Sequence, residues 1–238
     1  MAVLSFFFAI GFAVIHFSAK YMKFIKRVPR SRFFSFAGGA AVSYVFVHLL
    51  PELHTHQEVL EKTKSNLLQF IENHAYFVAL LGISFFYGLE NAVTRKTKER
   101  RTHAGSGIFW IHIGVFFFYN MLIGYLLIQE KFNHAREMVF YFLALSVHFL
   151  TIDQSMRETH QQTYDKYGRW ILAVAVLIGW GVGLFTQLQE MLVSALVAFL
   201  SGALILNVLK EELPEERDSS FAAFAAGTAA YSILLLNV

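Results

Sequence analysis

From Trp170 to Gln189 the chain carries no Asp, Glu, Lys or Arg, and the same holds from residue 219 to 238. A helix of ~20 residues rises about 30 Å, which is the thickness of a bilayer's hydrocarbon core. Taken with less complete apolar runs, eight segments fit a membrane span: about 2–19, 33–51, 74–93, 107–128, 137–157, 169–188, 191–210 and 219–238. Composition agrees, because 56% of residues are hydrophobic and only 16% charged, against roughly a quarter charged in soluble domains. The 26 phenylalanines exceed what one globular core buries, so lipid must solvate many of them. The sequence predicts an all-α membrane protein of eight transmembrane helices forming a single integral domain.

The charges orient these spans. No basic residue precedes the first apolar run, whereas Lys20, Lys23, Lys26, Arg27, Arg30 and Arg32 follow it. That order predicts an uncleaved first span with its N-terminus outside. The inner loops then receive those residues, Arg95 to Arg101, Arg157, Lys166, Arg169, Lys210 and Arg217. The outer loops hold only Lys62, Lys64, Lys131 and Arg136. This is the positive-inside bias expected of a multi-pass protein in a cell or inner membrane, and it places both termini outside. The outer segment 52–73 has partial amphipathicity through Val59, Leu60, Leu67, Leu68, Phe70 and Ile71, suited to resting on the membrane surface.

Two segments repeat. Phe36 to Glu52 reads FAGGAAVSYVFVHLLPE, and Phe199 to Glu215 reads FLSGALILNVLKEELPE. At one constant offset Phe36 pairs with Phe199, Gly39 with Gly202, Ala40 with Ala203 and Val45 with Val208. His48 pairs with Glu211, Leu50 with Leu213, Pro51 with Pro214 and Glu52 with Glu215. The first copy lies in a span running outward and the second in a span running inward. The halves 1–95 and 169–238 are thus predicted to be inverted repeats flanking a central pair, 107–157, as in many secondary transporters. The alternative is that small residues serve helix packing and that Leu-Pro-Glu ends a helix at either interface.

FAGGAAVSYVFVHLLPELH resembles the second span of the Zrt/Irt-like (ZIP) metal transporters, and AFLSGALILNVLKEELPEE resembles their seventh. The resemblance covers essentially the whole chain. It implies a 3+2+3 bundle that moves Zn²⁺, Fe²⁺ or a similar divalent ion toward the cytoplasm, passively or linked to protons. Where the family's fourth span reads His-Asn-x-x-Asp/Glu-Gly, this chain has Tyr119, Asn120, Met121, Leu122, Ile123 and Gly124. Where its fifth reads His-Glu-x-Pro-His/Glu-Glu, the chain has His148, Phe149, Leu150, Thr151, Ile152 and Asp153. By this resemblance the chain is a divergent member with a degenerate metal site in spans 4 and 5.

With no cysteine, any metal must be held by His, carboxylates, amides or water. His112 stands two helical turns before Tyr119, so the two face nearly the same way. A revised transport site of His112, Tyr119, Asn120 and His148, with Asp153 as the deepest carboxylate, is one reading. An interhelical hydrogen-bond cluster is the other. Arg157, four residues after Asp153, is a ready ion-pair partner for it. Glu90, Asn91, His16 and His74 read as interfacial, and His160 and Asp165 fall in no recognised spacing. His48, Glu52, His54 and His56, with Glu58, form a candidate outer entrance or simply a solvated segment. The acidic run Glu211, Glu212, Glu215, Glu216 and Asp218 either attracts cations or caps its helix.

The function expected is a ZIP-like secondary transporter of divalent metal with an altered site. The alternative is a protein of the same fold that has lost zinc transport and carries another substrate or a regulatory or structural role. An intramembrane metal hydrolase is more remote, because no histidine follows His160 and no HExxH or GxSxG motif occurs. No enzyme activity or prosthetic group is expected; zinc or a similar metal enters as substrate. The expected partners are the lipid bilayer and the divalent ion, with a homodimer left open. A net charge of +3 argues against nucleic acid.

Overall fold

The computed structural model describes residues 1–21, 32–62, 74–99, 106–129, 132, 134–212 and 220–237. Among them every regular element is a helix: α1 Ala2–Ser18, α2 Arg32–Tyr44, α3 Leu50–Lys62, α4 Ala75–Glu99, α5 Ser106–Gln129, α6 Ala135–Thr163, α7 Arg169–Phe185, α8 Glu190–Asn207 and α9 Phe221–Leu236. Six helical stretches are long and apolar enough to cross a membrane. One of these, Ser35–Glu61, runs through α2 and α3, so helix continues past the expected span end at residue 51. The remainder of the proposed surface segment, 63–73, lies outside the described residues. So do the basic stretch 22–31, the loop residues 100–105 and the second Leu-Pro-Glu, 213–215.

Another stretch, Ala135–Phe185, covers 51 residues, which as one straight helix would reach about 76 Å, more than two bilayer cores. It is two helices folded back at Gln161, whose φ of 47° and ψ of −119° break the helical run. The reversal is proved by its contacts: Tyr164 donates its hydroxyl hydrogen to Asp153 Oδ1, 11 residues earlier, a separation of ~16 Å along an unbroken helix. The Arg157 guanidinium closes the bend on Asp165 at 2.7 and 3.3 Å. Expected spans 137–157 and 169–188 are therefore antiparallel, with α1 packed against both. α9 is apolar but has only 16 residues, about 24 Å of helix.

Among the described residues π-helical turns occur at Val45–Leu49, at Tyr164–Gly168 just after the chain reversal, and at Val208–Glu212. In the first, the Leu50 amide bonds to the Val45 carbonyl five residues back. Pro51 follows, with no N–H to give and a ring that crowds the turn before it, and a widened turn accommodates both defects.

Three helix pairs pack backbone against backbone at glycines. A side-chain carbon on Gly39 would strike the Phe224 carbonyl of α9, and one on Gly227 would strike Phe36 of α2. Gly82 and Phe199, with Gly202 and Ala79, make the same reciprocal contact between α4 and α8. Gly124 and Val176, with Gly179 and Met121, make it between α5 and α7. Around these seams α1 packs on α7 and α6, α3 packs on α8, and α6 also touches α2. The outward faces are oily, with Phe185 89%, Phe221 79% and Phe118 65% exposed. Water does not tolerate apolar exposure on this scale, whereas hydrocarbon solvates it. Polar residues occupy the interior instead.

Candidate functional site

Across the facing sides of α5 and α6 the long polar side chains meet in successive rungs. At the first, the Tyr119 hydroxyl and His148 Nε2 share a hydrogen bond at 2.8 Å. At the second, Asn120 donates its amide Nδ2–H to the Phe116 carbonyl at 2.8 Å, which turns its oxygen toward His16 of α1. His16 Nε2 donates to that oxygen at 2.8 Å, and Nδ1 meets Asp153 Oδ1 at 2.8 Å. His16 and Asp153 each supply the other's partner inside the protein. Tyr164 donates to the same Asp153 oxygen, and His16, Asn120 and Asp153 are all 0% exposed.

The third rung joins His112 Nδ1 and His160 Nε2 at 2.9 Å, while His112 Nε2 reaches Glu90 Oε1 at 3.0 Å. Carboxylate accepts, so His112 Nε2–H donates to it. His112 Nδ1 and His160 Nε2 share the other hydrogen bond, one ring donating and the other accepting. Glu90 Oε2 accepts from Lys210 Nζ at 2.9 Å. Two polar atoms on these rungs are buried without a hydrogen-bond partner, Asp153 Oδ2 and His160 Nδ1. Such atoms are costly unless something pairs with them.

Several expectations are revised by this geometry. The site of His112, Tyr119, Asn120 and His148 is not one cluster: Tyr119 and His148 pair with each other, whereas His112 bonds to His160 and Glu90, and Asn120 to His16. Asp153 does not pair with Arg157: the helix reversal brings Tyr164 and His16 to Asp153 and gives Arg157 to Asp165. His16 is not interfacial but fully buried, and Glu90 turns inward to His112. His160 and Asp165, which no spacing flagged, both have defined partners. A lone ionisable residue inside an otherwise uncharged span was the available signal for His16.

The candidate entrance also divides. His48 lies 3.7 Å from Glu52, and His54 lies 3.9 Å from Glu58 on the exposed side of α3. His56 instead packs inward and meets Ser194 Oγ of α8 at 3.0 Å. Glu52 lines a cavity of about 30 Å³ whose wall also includes Tyr44 and Tyr119, space for a water. The side chains of Glu211 and Glu212 and the acidic residues 215, 216 and 218 lie outside the described residues. Among the described residues, no group of three or more His, Asp and Glu is arranged to hold a metal ion.

Fold and interior together define an all-α integral membrane protein with a buried, largely hydrogen-bonded polar track. No family model, no curated protein and no solved structure matches the chain.

Proposed function

We propose that the chain is a ZIP-like secondary transporter of eight spans, built as a 3+2+3 inverted repeat, that conducts a divalent cation along the α5–α6 face toward the cytoplasm. The observation that carries this reading is the set of polar rungs crossing otherwise apolar helices. Ionisable groups are expensive at membrane depth and mark ion pathways. Glu52 and the cavity beside Tyr119 supply an outer approach, and the His112–His160–Glu90 rung an inner one.

Two further observations favour the repeat. The π turns Val45–Leu49 and Val208–Glu212 stand at the same offset as the sequence repeat. The glycine seams obey the same exchange, because Gly39 and Phe36 meet α9 as Gly202 and Phe199 meet α4. Related contacts between exchanged helices are what an axis in the membrane plane produces. α9 completes the count if local thinning or flanking residues bridge its short length.

A second reading, the same fold without zinc transport, draws on the ligand count. Zinc commonly takes four N, O or S donors, and among the described residues no three His, Asp or Glu side chains are arranged to hold a metal ion. The hydrogen bonds of the rungs would instead suit a hard, partly hydrated cation, a proton, or a structural role. Proteoliposome uptake of Zn²⁺, Fe²⁺, Mn²⁺ and Cd²⁺ separates the readings. The transporter reading expects uptake of at least one ion and a fall of tenfold or more in His148→Ala and Asp153→Asn. Absence of uptake for every ion favours the second reading, and uptake unchanged in both variants removes the α5–α6 route.

A further inference from the structure

Between the α4–α8 pair and the α5–α7 pair runs a groove of about 540 Å³, floored by the α7–α8 link at Thr186 and Leu188. Apart from Tyr119, its lining shares no residue with the polar rungs, which lie toward α6 and α1. Its mouth is flanked by Phe85, Phe118 and Val182, all exposed. Phe85 and Phe118 lie well inside α4 and α5, so the opening faces the hydrocarbon layer rather than water.

A space this large cannot stay empty without forfeiting the contacts of every atom that lines it. Water is a poor occupant. Each hydroxyl oxygen in the wall has a protein partner: Tyr119 pairs with His148 at 2.8 Å, Tyr125 accepts from the Leu188 amide at 3.1 Å, and Thr186 donates to the Val182 carbonyl at 2.7 Å. The volume would take many waters of ~30 Å³ each, and each water needs two to four polar partners. Apolar cavities therefore stay dry and accept apolar guests. In a bilayer the guest at hand is hydrocarbon.

We propose that this groove is a binding site for one phospholipid acyl chain, drawn laterally from the surrounding leaflet. The chain leaves one apolar medium for another, so its binding rests on shape and packing rather than on escape from water. Met121, Leu122, Leu196 and Phe199 form the contact walls. Tyr119 belongs to both the groove and the first polar rung, so the seated chain packs against the ring whose hydroxyl holds His148. The inference rests on the helices spanning a bilayer and not on which ion, if any, is carried.

The test uses the full chain in nanodiscs of phosphatidylcholine doped with phosphatidylcholine bearing a photoreactive diazirine on one acyl chain. Labelled residues are mapped by peptide mass spectrometry. The expected result is labelling of Met121, Leu122 or Leu196 on the recessed walls, comparable with that at outward-facing Phe185. Leu122→Trp, or Leu196→Trp where the first variant fails to fold, should cut wall labelling at least fivefold and leave Phe185 unchanged. Label confined to outward residues of the wild-type chain would overturn the proposal. So would a wall that labels equally in the filled variant. Ion uptake plays no part in any of these readouts.

Discussion

His16 and Asp153 meet where neither touches water, and each is tolerable only because of the other. Removing one partner of a buried pair leaves an uncompensated polar or charged group, at a cost of about 3–5 kcal/mol. His16→Ala should therefore lower the thermal midpoint in detergent steeply. His16→Ala combined with Asp153→Leu should recover part of that loss, because it removes both halves. A different residue bears backbone strain: Gln161 holds φ at 47° with ψ at −119°, a region that side chains disfavour by roughly 1–3 kcal/mol. Gln161→Gly should raise stability by about 1 kcal/mol, since relief of strain exceeds the added chain entropy, and a fall in the melting temperature would contradict this assignment. At this scale the sequence is least transparent. Asn120, His148 and Asp153 stand out from their apolar neighbours, but which ring meets which carboxylate depends on a chain reversal that leaves no local signature. Gln161 is neither Gly nor Asn, the usual marks of positive φ.

At the scale of helices, glycine contacts set the spacing. Gly202 sits against the Ala79 carbonyl and Gly179 against that of Met121, so Gly202→Leu or Gly179→Leu must push whole helices apart. Overpacking of this kind costs typically 1–3 kcal/mol, occasionally more. At Gly88 and Gly114 a side-chain carbon would meet nothing within 4 Å, so Gly88→Ala and Gly114→Ala should be neutral or gain up to about 1 kcal/mol in helix propensity. Thermal unfolding of the four variants side by side checks the contrast. Helix positions were legible because runs such as Trp170 to Gln189 declare themselves by lacking charge. Helix in the α3 extension was legible in part, through the amphipathic placing of Val59 and Leu60, but its continuity with the preceding span was not, because Glu52, His54 and His56 fit a separate surface segment equally well. Gly39 and Gly202 announced their importance through the repeat, but their partners Phe224 and Ala79 belong to helices with no matching motif of their own.

For the whole molecule, the distribution of Lys and Arg remains the argument for orientation, since helix packing is indifferent to which side is which. The absence of native cysteine makes this directly measurable. In sealed cells an impermeant maleimide should label Thr55→Cys and Gln187→Cys but spare Thr97→Cys and Gln162→Cys until the membrane is opened. Labelling of Thr55→Cys and Thr97→Cys from the same side would dismantle the eight-span inverted arrangement, and with it the transport reading.

The glycine seams carry a mechanical consequence. A carbonyl lodged in the notch left by a missing side chain acts as a detent, and two such notches facing opposite ways resist sliding in both directions. Each clasped pair must move as one stiff plank. Compliance is left to the joint between the α4–α8 and α5–α7 planks, where flexible side chains and the oily furrow take the place of interlocked backbone. Any large motion of the molecule will hinge along that joint.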